Sequence, residues 1–578
     1  MLSFVVFDSD GVDARYFPPR HAHLIGPDEI PYQGTVGFEG GVLKCQIPRP
    51  ESAATMLQCE VAAPEIDGVP VPMLVPTGTK PAGLGLLTIQ TCLLPQREEP
   101  YLLAMEIARH RIMLFLNKLE DWAVFDLAAD HPVMVQFEAA RQAFTGANIA
   151  QREGVAPQSV KSEFSSRAHA QSLRAISLAI NAGEGLALEQ ASRQMKLRLS
   201  GKGYEEALEH SKRLSLLTPT PGAPIHIPGT PHVVLQGPAQ VGVTVSPRQF
   251  SEPLQRAVQM SSDFITVPMR WIDMEPGEGK YEFTGTDRWI EWAIRTAKLP
   301  VAAGPLIDFR SSSTPDWLYI WENDYENLRD MIFEYIQAVV TRYRKTVQRW
   351  TIATGLHVNT NIKISFEQII DLTRMSIMLV RKLHPAGKIV LEIDQPWGEY
   401  HAFNRRSIPP YLYGEAVMQA QLHVDAVGVR VQMGDARPGA SSRDLMAFSA
   451  MLDRFAGLER PLHVTLGAPS AAVPMTPFKP RVGASGEDVY EPGYWRHPWS
   501  EQQQADWMTC AMTVACSKPF VRSVCWHELA DSSHITAEMS HGGLVNGAVP
   551  KIALNRLAQF RAAMREGKNP LDLIRPVE

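Results

Sequence analysis

Two short runs hold the acidic side chains best placed for acid and base chemistry. Leu391-Glu392-Ile393-Asp394-Gln395-Pro396-Trp397-Gly398-Glu399-Tyr400 closes one apolar β-run, and Trp526-His527-Glu528-Leu529-Ala530-Asp531 closes another. Alternation along a strand puts Glu392 and Asp394 on one face. Two carboxyl groups held close push one pKa upward, so that one stays protonated as a general acid while its neighbour stays a base. Glu399 and Glu528 lead as catalytic candidates, with Glu392 and Asp394 beside them, and Asp308 and His357 complete the possible ring. Carboxylates at strand ends also cap helices and hold loops, so each has a structural reading as well.

The elements that must position these groups are β-runs alternating with helices over residues 232–578. Apolar runs occur near 241–245, 264–269, 300–307, 347–353, 389–393, 426–431, 462–466 and 521–526. Helical patterns such as 325–343 and 366–383 separate them. Eight such runs in a segment of this length predict a (β/α)8 TIM barrel, whose reactive groups sit on the loops after the strands. Residues 1–135 alternate short apolar runs with Gly and Pro and predict a β-sandwich, with a helix packed against it from about residue 100. Residues 136–231 predict a helical connector, with helices near 164–182 and 186–199 and a loop at 154–158, ending in the Pro- and Gly-rich linker 218–231. The fold class expected is therefore α/β, a C-terminal barrel preceded by a β-sandwich and a helical connector.

Composition narrows the partners. The chain has 578 residues, a net charge of −6 and 20% charged residues with no basic block, which suggests neither nucleic acid nor an anionic membrane as a partner. No apolar run reaches the ~18 residues that a membrane-crossing helix needs, and the opening run 4–7 is stopped by Asp8 without a basic leader. A soluble, cytoplasmic protein is expected. Six cysteines form no CxxC pair and no metal-type spacing, so buried reduced thiols, no metal and no cofactor are expected. Oligomeric state is left open.

Several motifs in the last 60% of the chain resemble glycoside hydrolase family 10, whose members are mainly retaining xylanases on this barrel. Met269-Arg270-Trp271, then Glu275-Pro276-Gly277, Tyr281-Glu282-Phe283 and Asp287, is similar to the family's block around its second strand. Pro315-Asp316-Trp317 resembles the Pro-x-Trp after the third. Arg342-Tyr343 to Trp350, Asp425 to Gly428, Pro461 to Thr465, Val524-Cys525-Trp526 and Gly542 to Lys551 resemble later family segments in the right order.

The resemblance implies two glutamates, after strands four and seven, at the ~5–5.5 Å separation that retaining hydrolysis uses. Neither is present. The fourth-strand motif reads Trp350-Thr351-Ile352-Ala353-Thr354-Gly355, with Gly355 where the acid/base belongs. The seventh reads Val464-Thr465-Leu466-Gly467, with Leu466 replacing the nucleophile or following its deletion. The family's usual xylanase activity is not expected. The resemblance instead implies a divergent glycoside hydrolase-like protein acting on or binding a poly- or oligosaccharide in the barrel mouth, leaning to hydrolysis by relocated carboxylates. The alternative is a catalytically inactive glycan-binding or structural protein. Carbohydrate is the partner expected. Flat rings suit the apolar face of a sugar, and Arg270, Trp317, His357, Asn359, Trp397, Gln432, Trp495 and Trp526 are the candidate binding residues. The long loop 468–499 is expected to cover the pocket.

Overall fold

The computed structural model describes residues 1–7, 22–47, 54–63, 84–153, 166–214, 222–227, 230, 232–435, 439–472, 476–478, 488–490, 493–532 and 541–573. The loop expected at 154–158, half of the 218–231 linker and most of the 473–492 stretch lie outside the described residues.

The front of the chain forms strands β1 (Leu2–Val5), β2 (His23–Ile25), β3 (Pro31–Tyr32), β4 (Thr35–Glu39), β5 (Val42–Gln46), β6 (Met56–Ala63), β7 (Gly85–Gln90) and β8 (Tyr101–Leu102). They build two sheets rather than one continuous layer. The first has the order β4-β5-β1-β8. The second adds a strand from far along the chain: β20 (Tyr494–Trp495) pairs antiparallel with β7 at one edge of the order β20-β7-β6-β2-β3. Gly85 permits this join, because at its φ of +104° a Cβ would lie 2.2 Å from the Tyr494 carbonyl oxygen.

Four helices follow, α1 (Leu103–Asp121), α2 (Pro132–Glu153), α3 (Ser166–Leu199) and α4 (Lys202–Leu214). The two helices expected at 164–182 and 186–199 are one continuous helix. Gly183 and Gly185, which mark a break in the sequence pattern, instead form a flat patch. A Cβ at Gly183 would meet Met446 Sδ at 3.1 Å, and one at Gly185 would meet Val133 Cγ2 at 2.9 Å. The glycines cost helix propensity but admit close neighbours. A short hairpin, β9 (Ile225–His226) with β10 (Val233–Val234), leads into the barrel.

The barrel closes in the order β11 (Gln240–Thr244), β12 (Phe264–Val267), β13 (Val301–Ala303), β14 (Arg349–Thr354), β15 (Lys388–Asp394), β16 (Ala426–Gln432), β17 (Leu462–Gly467) and β21 (Val521–Trp526), all parallel. These are the eight runs expected from the sequence. The short pair β18 (Thr476–Phe478) and β19 (Asp488–Tyr490) forms a hairpin within the long loop after β17. Helices between the strands include α5 (Glu252–Ser261), α6 (Trp271–Met274), α7 (Thr284–Trp292), α8 (Tyr325–Tyr343), α9 (Phe366–Leu383), α10 (Pro410–Gln419), α11 (Leu445–Ala456) and α12 (Glu501–Ser517). Side-chain caps fix where several begin: Asp324 accepts from Asn327 N, Asp444 from Met446 N and Ala447 N, and Ser365 forms a capping box with Gln368.

Inward positions carry small or polar residues, so the barrel is filled by a few larger side chains. The Phe264 ring lies where a Cβ on Gly242 would be, 2.4 Å from Cζ, and Glu392 lies across Gly428. One hydrophobic cluster runs from Leu2 and Phe4 through Ile176 and Ile180 to Val241, Ile352 and Trp526. Front sheets, helices and barrel thus share their core. All six cysteines are free and buried.

Candidate functional site

Inside the barrel, a lower polar layer is built around Arg349. Its Nη1 lies 2.9 Å from His463 Nδ1, which also contacts Ser523 Oγ at 2.6 Å, and its guanidinium sits 4.8 Å from the centre of the Phe264 ring. An arginine can only donate, so His463 Nδ1 is the acceptor and the ring is neutral. Burial pushes Arg349 down to about 10 and His463 well below its ordinary value.

One layer higher, at the C-terminal ends of the strands, the charged groups converge. Glu392 accepts from Thr354 Oγ1 at 2.8 Å. Burial pushes its carboxyl pKa up, against the opposing pull of Arg430 and the Thr354 hydrogen bond. Asp394 lies between two arginines, 3.8 Å from Arg310 Nη1 and 3.9 Å from Arg430 Nε. Arg310 also forks onto Asp308, with bonds of 2.8 and 2.6 Å. Arg430 Nη2 donates to His527 Nε2 at 2.8 Å, and that nitrogen is 4.0 Å from Glu528 Oε1. The result is a run of alternating charge across the mouth, Asp308, Arg310, Asp394 and Arg430, which His527, accepting from Arg430, carries on to Glu528. Three of the four proposed catalytic carboxylates therefore come together: Glu392, Asp394 and Glu528.

Gly355 sits against this chain with φ +64°, and a Cβ there would be 3.8 Å from Asp394 Oδ2. The space beside it is a cavity of about 30 Å³ lined by Arg310, Gly355, Asn359, Asp394 and Gln395 among others. It is the size of a water site rather than of a sugar ring. Across the barrel, Leu466 is fully buried.

Glu399 does not join the mouth. It is 1% exposed and accepts from Gln58 Nε2 and Gly439 N, both at 2.5 Å, and from Arg443. Its carboxylate ties β6 of the front sheet to the loop after β16, so the catalytic expectation is corrected to a structural one. The positive-φ turn at Gly398 carries its side chain away from the strand face that holds Glu392 and Asp394.

Several expected binding residues are also relocated. Trp526 is fully buried, donates to Gly542 O at 2.9 Å and meets Trp507 of α12 edge-on, so it faces the helix layer while its neighbour His527 turns to the mouth. Trp495 belongs to the front sheet and donates to Glu184 Oε1 at 2.6 Å. The end of the loop expected to cover the pocket is therefore a sheet strand. His357 is buried between Tyr413, stacked at 5.1 Å, and Tyr400, with Nε2 on the Asp394 carbonyl. Asn359, at φ +54°, holds its own loop through Ile364 and Arg406 while bordering the small cavity. Gln432 lies over Gly467, whose Cβ would be 2.3 Å from its Oε1. Arg270 pairs with Asp273, and half-buried Trp317 donates to Glu275 O. Trp397 stands outside the mouth, at the seam between barrel and front sheet.

Arg310 and Arg430 are not among the site residues expected from the sequence. Arg430 was detectable as a lone charge in the apolar run 426–432, at inward parity beside Gly428. Among the described residues no cluster of three or more His, Cys, Asp or Glu has metal-site geometry, and no helix is long and apolar enough to cross a membrane.

Residues 232–378, from the barrel's first strand through the helix after its fourth, match the family described as glycosyl hydrolase family 10. That part of the barrel is thus similar to family 10. Among solved structures, the chain is similar to xylanase 10B from Thermotoga petrophila RKU-1 in complex with xylobiose, at 15% identity over 57% of this chain and 94% of that one, with a TM-score of 0.41. Native xylanase 10B from Thermotoga maritima gives 14%, 57%, 96% and 0.41. A family 10 endoxylanase retrieved from a sugarcane soil metagenome gives 16%, 56%, 97% and 0.42.

Burial pushes His357 down to about 4 from an ordinary 6.5. Between these values the unfolded chain binds a proton that the native state refuses, so stability falls as pH falls through this window, by on the order of 3 kcal/mol. Urea midpoints at neutral pH and at about pH 4.5 should differ accordingly, and His357→Phe should flatten the difference. An unchanged slope in that variant would assign the acid sensitivity to other groups, His110 first, which burial pushes down to about 3.

Proposed function

We propose that this family 10-type barrel binds a poly- or oligosaccharide at its mouth without hydrolysing it. The observation that carries the reading is the alternating charge chain. Retaining hydrolysis needs one carboxylate free to attack and another free to protonate, whereas Asp394 lies between Arg310 and Arg430, beside a glycine where the family's acid/base would stand. Carbohydrate as the ligand rests on the family 10 match of residues 232–378, which is an argument from fold analogy.

One observation favours a second reading, hydrolysis by relocated acids. Glu392 and Asp394 share a strand face, and burial raises the first of them, which is how acid and base roles are divided. A screen of aryl glycosides and plant, fungal and bacterial polysaccharides separates the two. No release of aglycone or reducing ends above the no-protein control is expected. Turnover abolished by Glu392→Gln or Asp394→Asn, in variants that melt like the parent, would establish the second reading instead.

A further inference from the structure

Between the barrel and the front sheet lies a groove of about 260 Å³ that is separate from the mouth. One wall is the turn joining β2 to β3, with Asp28, Glu29 and Pro31. The other is Trp397 and the start of α10, with Pro409, Tyr411 and Glu415, and Arg454 of α11 also lines the groove. The walls are held together closely. A Cβ on Gly398, at φ +74°, would lie 2.8 Å from Pro410 Cδ and 3.8 Å from Pro31 Cδ. The groove is thus pre-formed by two distant parts of the chain.

We infer that this groove is a second carbohydrate site, taking one pyranose ring of a glycan. The class of ligand rests on the reading above, but the groove's own chemistry selects it from the alternatives. The volume is just below the ~300–1,000 Å³ of pockets for larger small molecules, which suits a single ring. Half-buried Trp397 and Tyr411, with the proline faces, offer flat C–H-compatible surface. Asp28 and Glu415 supply acceptors for hydroxyl groups, and Arg454, paired with Glu29 at 3.2 Å, supplies donors.

A basic peptide is the main competitor, since carboxylates beside aromatic rings also attract ammonium and guanidinium groups. Both rings already have such a partner. Arg443 lies 4.2 Å from the Trp397 ring centre and Arg454 5.4 Å from that of Tyr411. With those interactions satisfied internally, the surface left to a guest favours stacking and hydroxyl contacts over a further cation.

The test is calorimetric titration of the full chain with xylo-, cello-, manno- and chitohexaose and with an Arg/Lys-rich peptide, using Trp397→Ala, Glu415→Gln and Asp394→Asn. The polar variant Glu415→Gln guards against loss of fold in Trp397→Ala, and both are checked by melting. At least one oligosaccharide should bind, about tenfold more weakly in Trp397→Ala and several-fold more weakly in Glu415→Gln. Saccharide binding that ignores both seam variants overturns the groove. If Asp394→Asn then weakens it, the mouth reading stands alone. Binding of the peptide at the seam in place of every saccharide also overturns the groove as a sugar site. No saccharide binding at all overturns both.

Discussion

Replacing Glu399 with alanine should cost about 3–5 kcal/mol of stability, read as a large fall in urea midpoint. Glu399 and Arg443 are each about 2% exposed in their side chains. Removing the carboxylate strands a guanidinium that burial has already pushed down to about 9. It also leaves Gly439 N and Gln58 Nε2 without their acceptor. The double variant Glu399→Leu with Arg443→Met removes the stranded charge too and should recover much of the loss, because a buried ion pair often does no better than apolar groups of similar volume. A Glu399→Ala protein with parental stability would contradict the clamp and return this residue to the catalytic candidates.

A loss of similar size is expected for Glu184→Ala. Glu184 lies mid-way along α3 and is 1% exposed. It accepts from Leu445 N at 3.2 Å, from Trp495 Nε1 at 2.6 Å and from Arg496. One carboxylate thus joins the long helix, the barrel's α11 and the strand that completes the front sheet. Without it, buried Arg496 keeps only the 3.4 Å contact to Asn181 Oδ1 among these hydrogen bonds. The variant should unfold at lower denaturant in one transition, since sheet, helix and barrel share a core. Two separated transitions would instead show the front of the chain to be independent of the barrel.

The barrel was legible because its strands are apolar runs bounded by Gly, Pro and amphipathic helices, and each run fell within a few residues of an observed strand. Helices 325–343 and 366–383 agree with the observed bounds because caps and apolar spacing coincide there. The front was less legible. The pairing of Tyr494–Trp495 with β7 spans some 400 residues, and local pattern carries no information about such a contact. The glycines of α3 misled for a related reason, since local propensity marks a break while tertiary packing uses the missing side chains. At the site, period-two alternation correctly placed Glu392 with Asp394. Alternation does not extend past the strand end at Asp394, so it carries no information on Trp397 or Glu399, which flank the positive-φ turn at Gly398. Trp526 failed by parity: inward positions on β21 are Ser523 and Cys525, followed by His527, so the tryptophan faces α12. The arginines that pair with the carboxylates escaped notice because residue type alone does not reveal which charges will meet across a barrel.

The most direct test of the central claim is to incubate the protein with an oligosaccharide that it binds, at saturating concentration, and then weigh the sugar by mass spectrometry. Saturable binding, weakened by Asp394→Asn, and recovery of the oligosaccharide at its original length are expected. Shortened chains, with cleavage lost in Glu392→Gln or Asp394→Asn, would contradict the claim and make the mouth a working hydrolase with relocated acids.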